Sequence, residues 1–98
     1  MAKIPNLDSI ENQAIGILGF LASDAERLGL FLSLTGVDPA DIRSLMKDPG
    51  FWLAIFDHLF QDESLMLVYC AEAAISPAEL VRLRQSLARP QEEGLREG

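Results

Sequence analysis

Apolar residues recur along this chain at three- and four-residue spacing, and strict alternation nowhere persists, so the pattern predicts helices and no strands. Leu7, Ile10, Ala14, Ile17, Leu18 and Leu21 form one stripe and define a first helix over 7–22. Gly16 and Gly19 interrupt it with poor helix formers, which reads as close approach of another helix. Ser23-Asp24-Ala25-Glu26 has the spacing of a capping box, with Ser23 as the cap, and opens a second helix that Gly36 stops after Thr35. Asp38-Pro39-Ala40-Asp41 starts a short third helix that turns Ile42, Leu45 and Met46 inward.

Asp48-Pro49 repeats the device for a fourth helix through Phe51, Trp52, Leu53, Ile55, Phe56, Leu59 and Phe60. Its apolar positions fall on nearly every side, the mark of a central helix. Gln61 or Asp62 caps a fifth helix over 65–74, also apolar all round. Ser76-Pro77-Ala78-Glu79 is a further capping box, and the sixth helix it opens is expected to stop before Pro90. Residues 91–98 read as a flexible polar tail.

Sliding the chain on itself by thirty-eight positions aligns these signals without a gap. Leu21 falls on Leu59, Asp24 on Asp62, Phe31 on Tyr69, and Asp38-Pro39-Ala40-Asp41-Ile42 on Ser76-Pro77-Ala78-Glu79-Leu80. Ala14 matches Trp52 and Ala22 matches Phe60, a small-for-large exchange that suits interdigitation in one core. Two units cannot stack as a solenoid and should close on each other. The expected fold is all-α: a compact six-helix bundle over 1–90, made of two pseudo-repeats of a three-helix unit, about 7–48 and 49–89.

Several segments resemble a known family in the same order. They are Leu18-Gly19-Phe20-Leu21-Ala22, then Phe31-Leu32-Ser33-Leu34-Thr35-Gly36-Val37-Asp38-Pro39, then Asp48-Pro49-Gly50-Phe51, Asp57 and Asp62-Glu63-Ser64-Leu65. The family comprises short bacterial helical proteins known only as a domain of unknown function. The resemblance runs from helix one to helix six, and Leu34-Thr35-Gly36-Val37-Asp38-Pro39 is its most specific part. It implies a stand-alone helical protein and brings no activity, cofactor or catalytic residue. His58 and Cys70 lie outside the shared pattern.

Composition narrows the function. In 98 residues, 8 basic against 15 acidic side chains give a net charge of −7, which argues against a role dominated by phosphate contacts. No uncharged stretch approaches the roughly 20 residues of a membrane span. The apolar run 14–22 has the length of an export-signal core, but Asp8 and Glu11 accompany Lys3 in its leader, so a buried helix and a cytoplasmic location are expected. A single cysteine forms no internal disulfide.

Candidate chemistry is sparse. His58 has Asp57 and Asp62 beside it, too few ligands for a zinc or iron site. Cys70 lies among Leu67, Val68, Tyr69 and Ala71, where a thiol is inert. Ser9, Ser23, Ser64 and Ser76 sit at or near helix starts, where their hydroxyls have structural work, and no phosphate-binding glycine loop is present. No enzyme, metal or cofactor site is therefore expected. The surplus apolar surface of helices four and five, led by Phe51 and Trp52, points to a protein partner or a homodimer with those rings as the contact. The alternative is a DNA-binding regulator. The hairpin over 71–84 is similar to a repressor helix-turn-helix, with Arg82 and Arg84 as the DNA contacts, although Pro77, Ala78 and Glu79 stand where base-reading residues belong.

Overall fold

The computed structural model describes the backbone of residues 7–97 and side chains from Leu7 to Leu87. Six α-helices and no strand occur among the described residues. They are α1 (Leu7–Ala22), α2 (Ala25–Thr35), α3 (Ile42–Leu45), α4 (Pro49–Phe60), α5 (Glu63–Ala73) and α6 (Pro77–Glu97), with a 3₁₀ turn at Pro39–Asp41 leading into α3.

The helix starts follow from short side chains that accept from exposed amides. Asp38 accepts from the Ala40 amide, Asp48 from Gly50, Asp62 from Leu65 and Ser76 from Glu79. At α2 the cap is Asp24 rather than Ser23: its carboxylate accepts from the Glu26 amide at 2.9 Å, while the Ser23 hydroxyl turns back to the Phe20 carbonyl. Both residue types cap well, and the carboxylate, one residue later, also complements the positive end of the helix. At α6, Glu79 does not complete the capping box; it pairs with Arg82.

α2 ends at Gly36 with φ +71°, and α5 ends at Ala74 with φ +57°, both left-handed. α6 does not stop before Pro90 but runs on to Glu97. A proline removes one amide from the ladder, and the residues beyond it keep their own bonds. The side chains of the expected polar tail, 91–98, lie outside the described residues.

α1 lies along α4, and α2, α5 and α6 gather around that pair. Ile10, Ala14, Ile17 and Leu21 bury one side of α1, and Ile55, Phe56 and Leu59 bury α4 against it. Each buried Ile, Leu or Phe among them contributes roughly 1.5–3 kcal/mol relative to exposure. α4 is central, as its all-round apolarity predicts. α5 is not: it lies at the edge, burying Tyr69 and Cys70 while Leu67 and Val68 face solvent.

Among the described residues no single helix is long and apolar enough to cross a membrane.

Candidate functional site

The residues expected to carry contacts are two rings at the start of α4 and two arginines on α6. Phe51 and Trp52 are only 7% and 5% exposed. The Phe51 ring packs on Phe31, and the Trp52 indole donates to the Met46 carbonyl at 2.6 Å. Both rings belong to this chain's own core.

Arg84 forks onto Asp57 of α4, with N–O distances of 2.8 and 3.1 Å. Arg82 pairs with Glu79 one turn earlier. The α5–α6 hairpin does bend by 102°, within the range of a helix-turn-helix, yet both arginines are engaged within the chain. His58 stands edge-on to Phe31, centroids 5.1 Å apart; burial lowers its pKa, with the Asp62 carboxylate pulling the other way. Burial also pushes the Cys70 thiol up, away from the nucleophilic thiolate. Among the described residues no three His, Cys, Asp or Glu side chains gather as a metal site.

A cleft opens instead between α1 and α5, about 340 Å³ in volume and open to solvent. Gly16, Gly19 and Phe20 of α1 and Ser23 just beyond it form one wall, and Tyr69, Glu72 and Ala73 of α5 form the other. Tyr69 anchors the two helices to each other. Its hydroxyl donates to the Gln13 side chain at 2.5 Å, and its ring meets Phe20 edge-on. A Cβ at Gly16 would stand 2.7 Å from the Tyr69 oxygen, so Gly16 does mark the close approach expected of it. Gly19 does not: nothing lies within 4 Å of a Cβ built there, and its missing side chain is part of the open cleft.

The helices that wall the cleft carry exposed apolar side chains. Ile15, half exposed, precedes Gly19 by one turn, and the exposed Val68 precedes Glu72 by one turn, with Leu67 beside it. Neither α1 nor α5 carries a basic residue in its last turn. Outside the cleft, the Arg27 guanidinium lies 4.6 Å from the centre of the Phe20 ring and 3.9 Å from Asp24.

The sequence profile of one family, described as a protein of unknown function, matches residues 8–90. The chain belongs to that family, DUF3572. No curated relative and no solved structure matches it. The match runs from the first turn of α1 to Pro90 and takes in every residue of the cleft. The DUF3572 description assigns none of them a role.

The cleft is not legible in the sequence because its walls come from residues some fifty apart in the chain, such as Gly16 and Tyr69. Its one sequence signal was the pair of helix glycines, which has the same appearance whether a helix or a void lies opposite.

Proposed function

We propose that this chain is a non-enzymatic, cytoplasmic interaction module, built from a duplicated three-helix unit, that docks a basic, amphipathic segment of a partner protein on its α1–α5 face. The observation that carries the reading is the exposed apolar side chains on the two helices that wall the cleft: Ile15 of α1 is 51% exposed, and Leu67 and Val68 of α5 are 48% and 43%. Exposed apolar side chains on helices that flank a cleft commonly belong to interaction surfaces. The charge of −7 and the lack of basic residues at the ends of α1 and α5 favour a partner of opposite sign over a second acidic copy.

The duplication is supported by element boundaries. α2 and α5 are eleven residues each and start thirty-eight residues apart, as do the Asp24 and Asp62 caps and the left-handed Gly36 and Ala74. Buried positions follow the same offset: Ile17 and Ile55, Leu21 and Leu59, Phe31 and Tyr69.

The test is salt-graded affinity capture from the native lysate with the wild-type chain, Val68→Glu, and a Leu34→Glu control on the exposed side of α2. A stoichiometric companion with a basic segment should be retained at low salt by the wild type and the control and lost with Val68→Glu. Retention by Val68→Glu, loss only with the control, or self-association in place of a companion overturns the reading.

A second reading, duplex DNA gripped by the 71–84 hairpin, draws support from the 102° bend. Glu79 in the first turn of α6 repels a phosphate there, and Arg84 is held by Asp57. A low-salt mobility shift that fades steeply with added salt would reverse this order.

A further inference from the structure

We propose that the α1–α5 cleft is a binding site for an organic cation, an alkylammonium or guanidinium group. Three features of the cleft point to that chemistry.

The first is its hydrogen-bonding inventory. The Tyr69 hydroxyl spends its proton on Gln13, and the Ser23 hydroxyl spends its proton on the Phe20 carbonyl. Both oxygens then present lone pairs alone, and the Glu72 carboxylate is an acceptor by nature. A ligand satisfied by three acceptors must bring donors.

The second is electrostatic. Gly19 and Phe20 belong to the last turn of α1, and Glu72 and Ala73 to the last turn of α5. Both helices therefore bring their negative ends to the cleft, and neither has a basic side chain in that turn to offset it. Glu72 adds a full negative charge and takes part in no ion pair among the described residues. Carboxylates are disfavoured at that end of a helix, so a cation relieves both at once.

The third is shape and surface. Phe20 and Tyr69 contribute aromatic surface to the lining, which is compatible with a cation. The volume of about 340 Å³ lies near the lower end of the roughly 300–1,000 Å³ typical of small-ligand pockets. The chain already uses this chemistry twice: Arg27 lies over the Phe20 ring, its charge offset by Asp24, and Arg84 forks onto Asp57, the residue that matches Gly19 in the thirty-eight-residue offset.

This deepens the docking reading and rests on it for the source of the cation, a Lys or Arg side chain of the basic segment; a free small amine offers the same group. The test titrates the full isotope-labelled chain with n-butylguanidinium, n-butylammonium, neutral butyramide and the peptide acetyl-Ala-Arg-Ala-amide, following backbone amides by NMR. Amides of Gly16, Gly19, Ser23 and Ala73 should shift saturably with both cations and not with butyramide. Glu72→Gln should weaken cation binding about fivefold, the loss of one solvent-accessible ion pair. Gly19→Leu should abolish it with the fold intact, since its Cβ meets open space. Tighter binding of the peptide than of butylguanidinium assigns the cation to a partner side chain, and weaker binding assigns it to a free amine. Equal shifts with butyramide, no saturable shift, or unchanged affinity in Glu72→Gln overturns the site. Partner capture still lost with Val68→Glu would leave the docking reading standing in that event.

Discussion

Phe20 meets Tyr69 edge-on, with ring centroids 5.5 Å apart and planes at 62°. His58, thirty-eight residues after Phe20, meets Phe31, thirty-eight before Tyr69, in the same manner at 5.1 Å and 78°. A second pair obeys the rule: Gln13 bonds Tyr69, and Phe51, its counterpart, packs on Phe31 at 6.1 Å. α1 thus leans on α5 where α4 leans on α2. Reciprocal contacts between swapped partners are the signature of an isologous interface, here within one chain, and they support the proposed duplication independently of the sequence match. The halves differ at one matched position beside these rings. Beside Phe31 the helix α4 carries Asp57, engaged by Arg84, and beside Tyr69 the matching position is Gly19 and empty.

The approach of Tyr69 to α1 makes two neighbouring glycines respond oppositely to the same substitution. Gly19→Ala should stabilise by about 1 kcal/mol, the difference in helix propensity, because its Cβ meets nothing. Gly16→Ala should destabilise by about 1–2 kcal/mol net, since the new methyl drives the Tyr69 oxygen away from Gln13 and its ring is held by Phe20. In a Tyr69→Phe background the nearest ring carbon is 3.7 Å away, so Gly16→Ala should become neutral or stabilising. Urea midpoints of the four variants measure the sign reversal.

The two left-handed helix ends give another opposed pair. A residue with a Cβ is strained at positive φ by about 1–2 kcal/mol, and a glycine is not. Ala74→Gly should therefore raise stability by up to about 1 kcal/mol, and Gly36→Ala should lower it by a similar amount. Thermal unfolding should separate each variant from wild type by roughly 4–8 °C per kcal/mol.

What the sequence made legible was local. Asp38, Asp48 and Asp62 announce helix starts because a carboxylate beside a proline or a helical run has few better uses, and Gly36 announces an end. The cap at Ser23–Asp24 came out one residue early because two good caps stand side by side. Phe51 and Trp52 were misplaced for a different reason: an apolar side chain looks the same in sequence whether its cover comes from its own chain or from another. Their cover comes from elements folded back across α4, which spacing alone does not encode. The cleft is long-range in the same sense, and only its glycines are local.

His58 should make stability depend on pH. Burial against Phe31 lowers its folded pKa below the unfolded value near 6.5, with Asp62 opposing in part. The unfolded chain then binds the proton more readily, so stability is full above the unfolded value and declines as pH falls through it toward the lowered folded one. His58→Phe, which installs the residue found at the matching Phe20, should flatten the pH dependence of the urea midpoint between about pH 7 and 5. An unchanged slope in that variant would assign the dependence to the carboxylates.

Glu72 should reveal a conflict between stability and binding. Glu72 stands at the negative end of α5, in no ion pair among the described residues, where it opposes the helix dipole. Glu72→Lys reverses that sign and should stabilise the free chain by about 0.3–1 kcal/mol, a gain that shrinks in high salt. The same substitution places a cation where the cleft is proposed to receive one, so it should eliminate binding of alkylguanidinium salts. A residue that is more stable when replaced, and whose replacement removes binding, is held in place by function rather than folding. Thermal unfolding and cation titration of this single variant measure both halves of that statement. Destabilisation by Glu72→Lys would mean that the carboxylate contributes to the fold, and the strain argument for the site would then fail.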